Sequence, residues 1–201
     1  MNRRRHLIHS LLALALAPLA GHAARPAAVG GSDRAVLLLA SERMSDPRFR
    51  NTVLAVLRHG PGGPLGVILN RPTRFSRGQI LPGFKALPDK HLPVFHGGPV
   101  QRTTLFYMAR FPVEPPAVLT LAPGVYMGLD LEGLRRILEA GMAPQDLRIY
   151  AGYAGWAPGQ LEREVAEGSW HILQMDADAL FEDDPSSLYP RLLARTRLIP
   201  A

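Results

Sequence analysis

Apolar residues in this chain cluster in two ways, and each way predicts a different element. Val36-Leu37-Leu38-Leu39-Ala40 is a continuous apolar run, too short for a helix, and predicts a buried strand. Residues 52–57 and 65–69 are further runs rich in Val, Leu and Ile. The segment Gly60-Pro61-Gly62-Gly63-Pro64 between them predicts an antiparallel hairpin. Arg71-Pro72 ends the third strand, because proline has no N–H to give a ladder. Further strands are predicted at 94–96, 103–108, 117–121, 125–128, 147–150 and 170–175. A helical period appears first at 131–140, where Leu131, Leu134, Ile137 and Leu138 share a face. Asp130 caps that helix and Gly141 follows its end. A second helix is expected over 160–166, stopped at Gly168, and a last one over about 186–195 behind Asp183-Asp184-Pro185. Ser45-Asp46-Pro47 predicts a short helix start anchored by Phe49, and 75–92 a loop with weak helix, broken by Pro82, Gly83 and Pro88. Hairpins first and helices later indicate an α+β fold.

The first residues stand outside this pattern. Arg3-Arg4-Arg5 is followed by the apolar run 11–17, then Pro18, then Gly21-His22-Ala23 with small residues where a signal peptidase reads them. This three-part pattern predicts a secretory signal peptide over 1–23, cleaved after Ala23, and a periplasmic or secreted product. The alternative is a cytoplasmic protein whose N-terminus is an unprocessed extension. Residues 24–33 read as a linker and 34–201 as a single domain, with no later segment of transmembrane length.

Composition narrows the function classes. The 201 residues are 47% hydrophobic and 20% charged, which suits a globular domain with a real core. With no Cys there is no disulfide, no thiol nucleophile and no zinc-thiolate site. The formal charge of +6 includes Arg3, Arg4 and Arg5, so the chain beyond Ala23 carries +3. Its arginines are scattered except for Arg71, Arg74 and Arg77, which argues against nucleic acid as a partner.

Three glycine-rich segments carry the candidate chemistry: Gly66-Val67-Ile68-Leu69-Asn70-Arg71-Pro72, His96-Gly97-Gly98-Pro99-Val100, and 152–164 with Gly152, Gly155, Gly159, Tyr153 and Trp156. Turns of this kind can aim N–H groups at an anion, and the start of the 160–166 helix adds its dipole. If the three segments converge, Asn70, Arg71, Gly97, Gly98, Tyr153, Trp156 and Gln160 would line a pocket for a small anionic or carboxylate-bearing ligand. The competing reading makes the glycines architecture and Trp156 core, and it is favoured because most Gly-Pro turns are architectural. Glu162 and Glu164 point apart on a helix, and His59, His96 and His171 lack metal-ligand spacing, so no metal or cofactor is expected. There is no nucleophile elbow, phosphate loop or dinucleotide fingerprint, so no catalytic residue is nominated.

Taken in order with Asp46-Pro47-Arg48-Phe49, these segments resemble the signature of the AlgH/YqgE family, over about 34–175. The resemblance implies a bifurcated, mostly antiparallel sheet curled into a pseudo-barrel with a few packed helices. It implies no established reaction. Family members are usually cytoplasmic, and some carry the label of transcriptional regulator. The leader and the stretch from Phe181 onward depart from the family pattern. The expectation is therefore an exported, non-enzymatic domain that binds a small ligand or a protein partner. A cytoplasmic regulator or an unrecognised hydrolase are the alternatives.

Overall fold

The computed structural model describes residues 35–58, 62–75, 94–115 and 118–197, all within the compact unit Asp33–Ala201. The predicted leader, its cleavage point, the linker, most of the hairpin turn before Gly62, and 76–93 of the predicted loop lie outside the described residues.

The strands are β1 (Val36–Ala40), β2 (Val53–Arg58), β3 (Pro64–Ile68), β4 (Val94–His96), β5 (Val100–Arg110), β6 (Leu119–Ala122), β7 (Val125–Gly128), β8 (Leu147–Gly155) and β9 (Trp170–Gln174). They form one sheet in the order β6-β7-β5-β8-β3-β2-β1-β9, with β4 added beside β8. Among the described residues only the β4–β8 pair is parallel. The sheet forks at β8. Its residues Ile149, Tyr150 and Ala151 pair with β4, whereas Ala154 and Gly155 pair with β3. One strand thus serves two wings, which is the bifurcated, curled α+β architecture the family resemblance implied.

Four helices close the faces: α1 (Leu131–Glu139), α2 (Gln160–Ala166), α3 (Ala177–Leu180) and α4 (Pro185–Thr196). They explain why β1 is apolar at every position. Leu37 and Leu39 enter a large cluster with Phe95, Met108, Tyr150, and Leu188 and Leu192 of α4. Leu38 and Ala40 enter a second cluster with Trp156, Trp170 and Leu161 of α2. Successive strand residues face opposite sides, so burial on both sides removes the usual alternation. A third cluster packs Leu134, Ile137 and Leu138 of α1 on Tyr107, Leu147 and Ile149.

The predicted caps form: Asp130 accepts from the Gly133 N–H, and Asp184 from the Ser186 N–H at 3.0 Å. Elsewhere the boundaries move. Residues 46–51 make turns rather than a helix, and α3 has no counterpart in the sequence reading because its four residues are too few to show a period. β5 and β8 are longer than the 103–108 and 147–150 expected, so Gly152–Gly155 is strand and not loop. Gly152 holds a φ of +75° inside β8, a conformation glycine tolerates. Beside it the register jumps from Val100↔Tyr153 to Leu105↔Ala151, so Gln101–Thr104 bulge out of β5. Among the described residues no helix is long and apolar enough to cross a membrane.

Candidate functional site

The Asn70 amide bridges two backbones. Its Oδ1 accepts from the Val53 N–H at 3.0 Å and its Nδ2 donates to the Asn51 carbonyl at 2.9 Å. Arg71 donates to the carbonyls of Arg48, Pro47 and Arg50, the last at 3.0 Å. Its guanidinium therefore gathers the Pro47, Arg48 and Arg50 carbonyls at the open end of the turn, while the Asp46 carbonyl accepts from the Phe49 and Arg50 N–H groups. Both side chains pin the loop after β3 to the loop before β2.

Gly97 and Gly98 cross directly over β8. The Gly97 N–H donates to the Ala151 carbonyl at 2.9 Å, and its own carbonyl accepts from the Ile68 N–H at 2.8 Å. A Cβ on Gly98 would lie 2.1 Å from the carbonyl carbon of Tyr153. The Tyr153 ring is half-buried and packs against Phe106 at 5.5 Å between centroids.

Trp156 is core. It is 5% exposed and meets Trp170 edge-on at 6.1 Å, and Trp170 in turn meets Phe49 at 5.6 Å. The two indoles share one acceptor: Trp156 Nε1 and Trp170 Nε1 donate to Glu164 Oε2 at 3.0 and 2.9 Å. Glu164 Oε1 accepts from Gln160 Nε2 at 2.8 Å, and Gln160 Oε1 accepts from the Ala157 N–H at 3.0 Å. In the sequence Glu164 stands out only as a helix residue pointing away from Glu162. Its role as the polar centre of an aromatic cluster depends on Trp170, a strand away.

The seven positions do not meet in one pocket. Gly97, Gly98 and the Tyr153 backbone touch, and Arg71 joins them because its carbonyl accepts from the His96 N–H at 2.8 Å. Trp156 and Gln160 sit at the other end of β3, where the Trp156 N–H donates to the Pro64 carbonyl. Six residues of extended chain, about 20 Å, separate Pro64 from Asn70.

The β5 bulge brings Arg102 beside Gly152, whose Cβ would lie 3.2 Å from the Arg102 Cα. His96, paired with neighbouring Ala151, lies close to Arg102 and Arg71. Burial, then the positive charges of Arg102 and Arg71, depress the His96 pKa. A histidine whose folded pKa lies below its unfolded value of about 6.5 leaves the unfolded chain to take the proton first. Its contribution is fully present above that pH and is lost as pH falls toward the folded value. Arg102→Gln should therefore move the imidazole titration upward, read by NMR of the His96 ring protons. An unchanged titration would mean that Arg102 does not act on His96.

Among the described residues no three His, Asp or Glu side chains gather as they would around a metal ion. The family described as "DUF179: AlgH-like" matches residues 37–200. A UPF0301 protein of Pelodictyon phaeoclathratiforme is 36% identical over 161 residues, spanning 80% of this chain and 82% of the relative. A UPF0301 protein of Streptomyces coelicolor is 36% identical over 166 residues, spanning 80% and 85%. The solution structure of the AlgH protein from Pseudomonas aeruginosa superposes with a TM-score of 0.67 at 28% identity, covering 88% of this chain and 94% of that one. The crystal structure of protein DIP2367 from Corynebacterium diphtheriae also gives 0.67, at 20% identity over 82% and 87%, and speaks to the fold alone. The match extends past Phe181, where the sequence reading saw departure, to within one residue of the C-terminus. With a forked sheet, matching relatives and a family match over most of its length, the chain belongs to the AlgH-like family.

Proposed function

We propose that this AlgH-like domain works by binding and not by chemistry of its own, and that it takes a small anionic, carboxylate-bearing ligand at the rim formed by Arg71, His96 and Arg102. The bulge in β5 carries the reading: it lifts Arg102 toward His96 on the strand edge that Arg71 already flanks. Arg71 spends its N–H groups on backbone carbonyls but keeps its charge. Arg102 is exposed and, among the described residues, engages no acceptor. Two guanidinium cations and an imidazole at one rim, with Asp46 acting on Arg71 but no carboxylate paired to Arg102 among the described residues, favour an anion over a cation. Trp156 and Gln160 support the other wing and do not belong to this surface.

Citrate titrated into the purified protein should shift the His96 ring signals and raise its pKa, because a bound anion favours the imidazolium. Arg102→Gln should weaken that response by about ten-fold, as loss of one charge-assisted contact does. Citrate shifts that ignore His96, or that survive Arg102→Gln, defeat the reading.

We further propose that the domain acts in the cell envelope, supported by the three-part leader at residues 1–23. Fractionation of a C-terminally tagged protein, with mass spectrometry of its N-terminus, should give a periplasmic product beginning at Ala24. A full-length cytoplasmic product would reject export and leave a cytoplasmic role.

A further inference from the structure

Two adjoining clefts open at the far end of β5, about 25 Å from Arg102 by strand rise. One, of about 320 Å³, is walled by Arg110, Phe181 and Asp178 among others. The other, of about 380 Å³, shares Arg110 and Asp178 and runs along Pro112, Pro123 and Val125. Both are open, shallow depressions, so a guest there would stay partly in solvent.

The charges lining the clefts are unevenly committed. Glu182 is taken by Arg191 at 2.6 Å, and Asp183 faces buried Arg148 at 3.6 Å. The Arg110 guanidinium carbon lies over the Phe181 ring, 4.1 Å from its centroid, a cation–π contact that restrains the side chain. Its one acceptor among the described residues is Asp146 at 3.5 Å, the outer limit of a hydrogen bond. The Asp178 carboxylate holds no ion pair or hydrogen bond among the described residues. Arg110 and Asp178 line the same two clefts, yet no contact within 4.0 Å joins them. Arg110, whose one ion pair is the long contact with Asp146, and Asp178 thus present both signs to the same depressions without pairing with each other, which suits a guest that carries both.

We infer that this double cleft binds a free α-amino acid with an apolar side chain. Its carboxylate sits on the Arg110 fork, its ammonium on Asp178, and its side chain along Pro112, Pro123 and Val125. A carboxylate alone leaves Asp178 unanswered, and an amine alone leaves Arg110 unanswered. The site is separate from the cationic rim and does not depend on it.

Titrations of the full-length protein with L-valine, glycine, acetate and methylammonium, followed by amide NMR, test this. L-Valine should give saturable shifts at Asp178 and Val125 and leave His96 unmoved. Glycine should bind more weakly, and acetate and methylammonium weaker than valine by about ten-fold or more, one charged contact having been lost. Asp178→Asn alters an exposed side chain that has no partner among the described residues, so it should keep the wild-type melting temperature and lose the valine response. Arg110→Lys, which keeps the charge and loses the planar fork, should lose it too. Acetate binding as well as valine would reduce the site to an anion contact, and methylammonium binding as well would reduce it to an acidic patch. Either result overturns the inference, as does the absence of saturation by valine.

Discussion

Replacing Trp156 by alanine is expected to remove about 3–5 kcal/mol of stability, the range for truncating a buried aromatic side chain. Three losses combine in the one change. The indole leaves a cavity in the cluster of Leu38, Leu54, Val56 and Ile68. Its edge-on contact with Trp170 goes. Glu164 Oε2 loses one of the two indole donors that hold it in place. Denaturant unfolding followed at the remaining Trp170 reads the outcome, with the slope checked for constancy. Wild-type stability in this variant would overturn the core assignment and return Trp156 to the candidate binding surface. Glu164→Ala separates polar from apolar contributions. It leaves the Trp156 and Trp170 N–H groups without their shared acceptor, at about 1–3 kcal/mol for each buried donor left unmet. Glu164→Gln, which keeps a carbonyl acceptor, should recover part of that loss.

Gly98→Ala is expected to cost about 3 kcal/mol or more, at or beyond the upper range for overpacking. The added Cβ would stand 2.1 Å from the carbonyl carbon of Tyr153 and 2.2 Å from its oxygen. These are backbone atoms of β8, so no side chain can swing aside. Relief requires parting the strands where the sheet forks, next to the Gly97 hydrogen bonds to Ala151 and Ile68. Gly62→Ala is the matched control, since a Cβ there meets nothing within 4 Å and should change stability by less than about 0.5 kcal/mol. Equal melting temperatures for the two variants would show that the crossing is looser than its geometry.

This contrast bears on the two readings of the glycine-rich segments. Asn70 and Arg71 hydrogen-bond backbone carbonyls and amides, Gly97 and Gly98 pack against the β8 backbone, and Trp156 is buried. The ligand site proposed above differs from the seven positions expected, since it keeps Arg71 and adds His96 and Arg102. His96 stands in a glycine-rich candidate segment but was not among the expected ligand contacts, and Arg102 carries no signal in the sequence. A lone histidine before two glycines and a lone arginine in a strand gain meaning only when a bulge and a parallel strand place them together.

Local rules were enough for much of the chain. Every described strand but its boundaries, the Asp130 and Asp184 caps, and the helices α1, α2 and α4 follow from periodicity, capping chemistry and turn residues. These are interactions between near neighbours, so a linear reading contains them. The order of motifs likewise marked the family. The order of strands in the sheet, the double use of β8 and the β5 bulge were settled only by the tertiary structure. So were Glu164 reaching both indoles and the partnering of Arg71 with carbonyls more than twenty residues earlier. The reason is physical: hydrogen-bond pairing and burial are decided between segments distant along the chain, and the spacing of residues within one segment carries no record of which other segment will cover it.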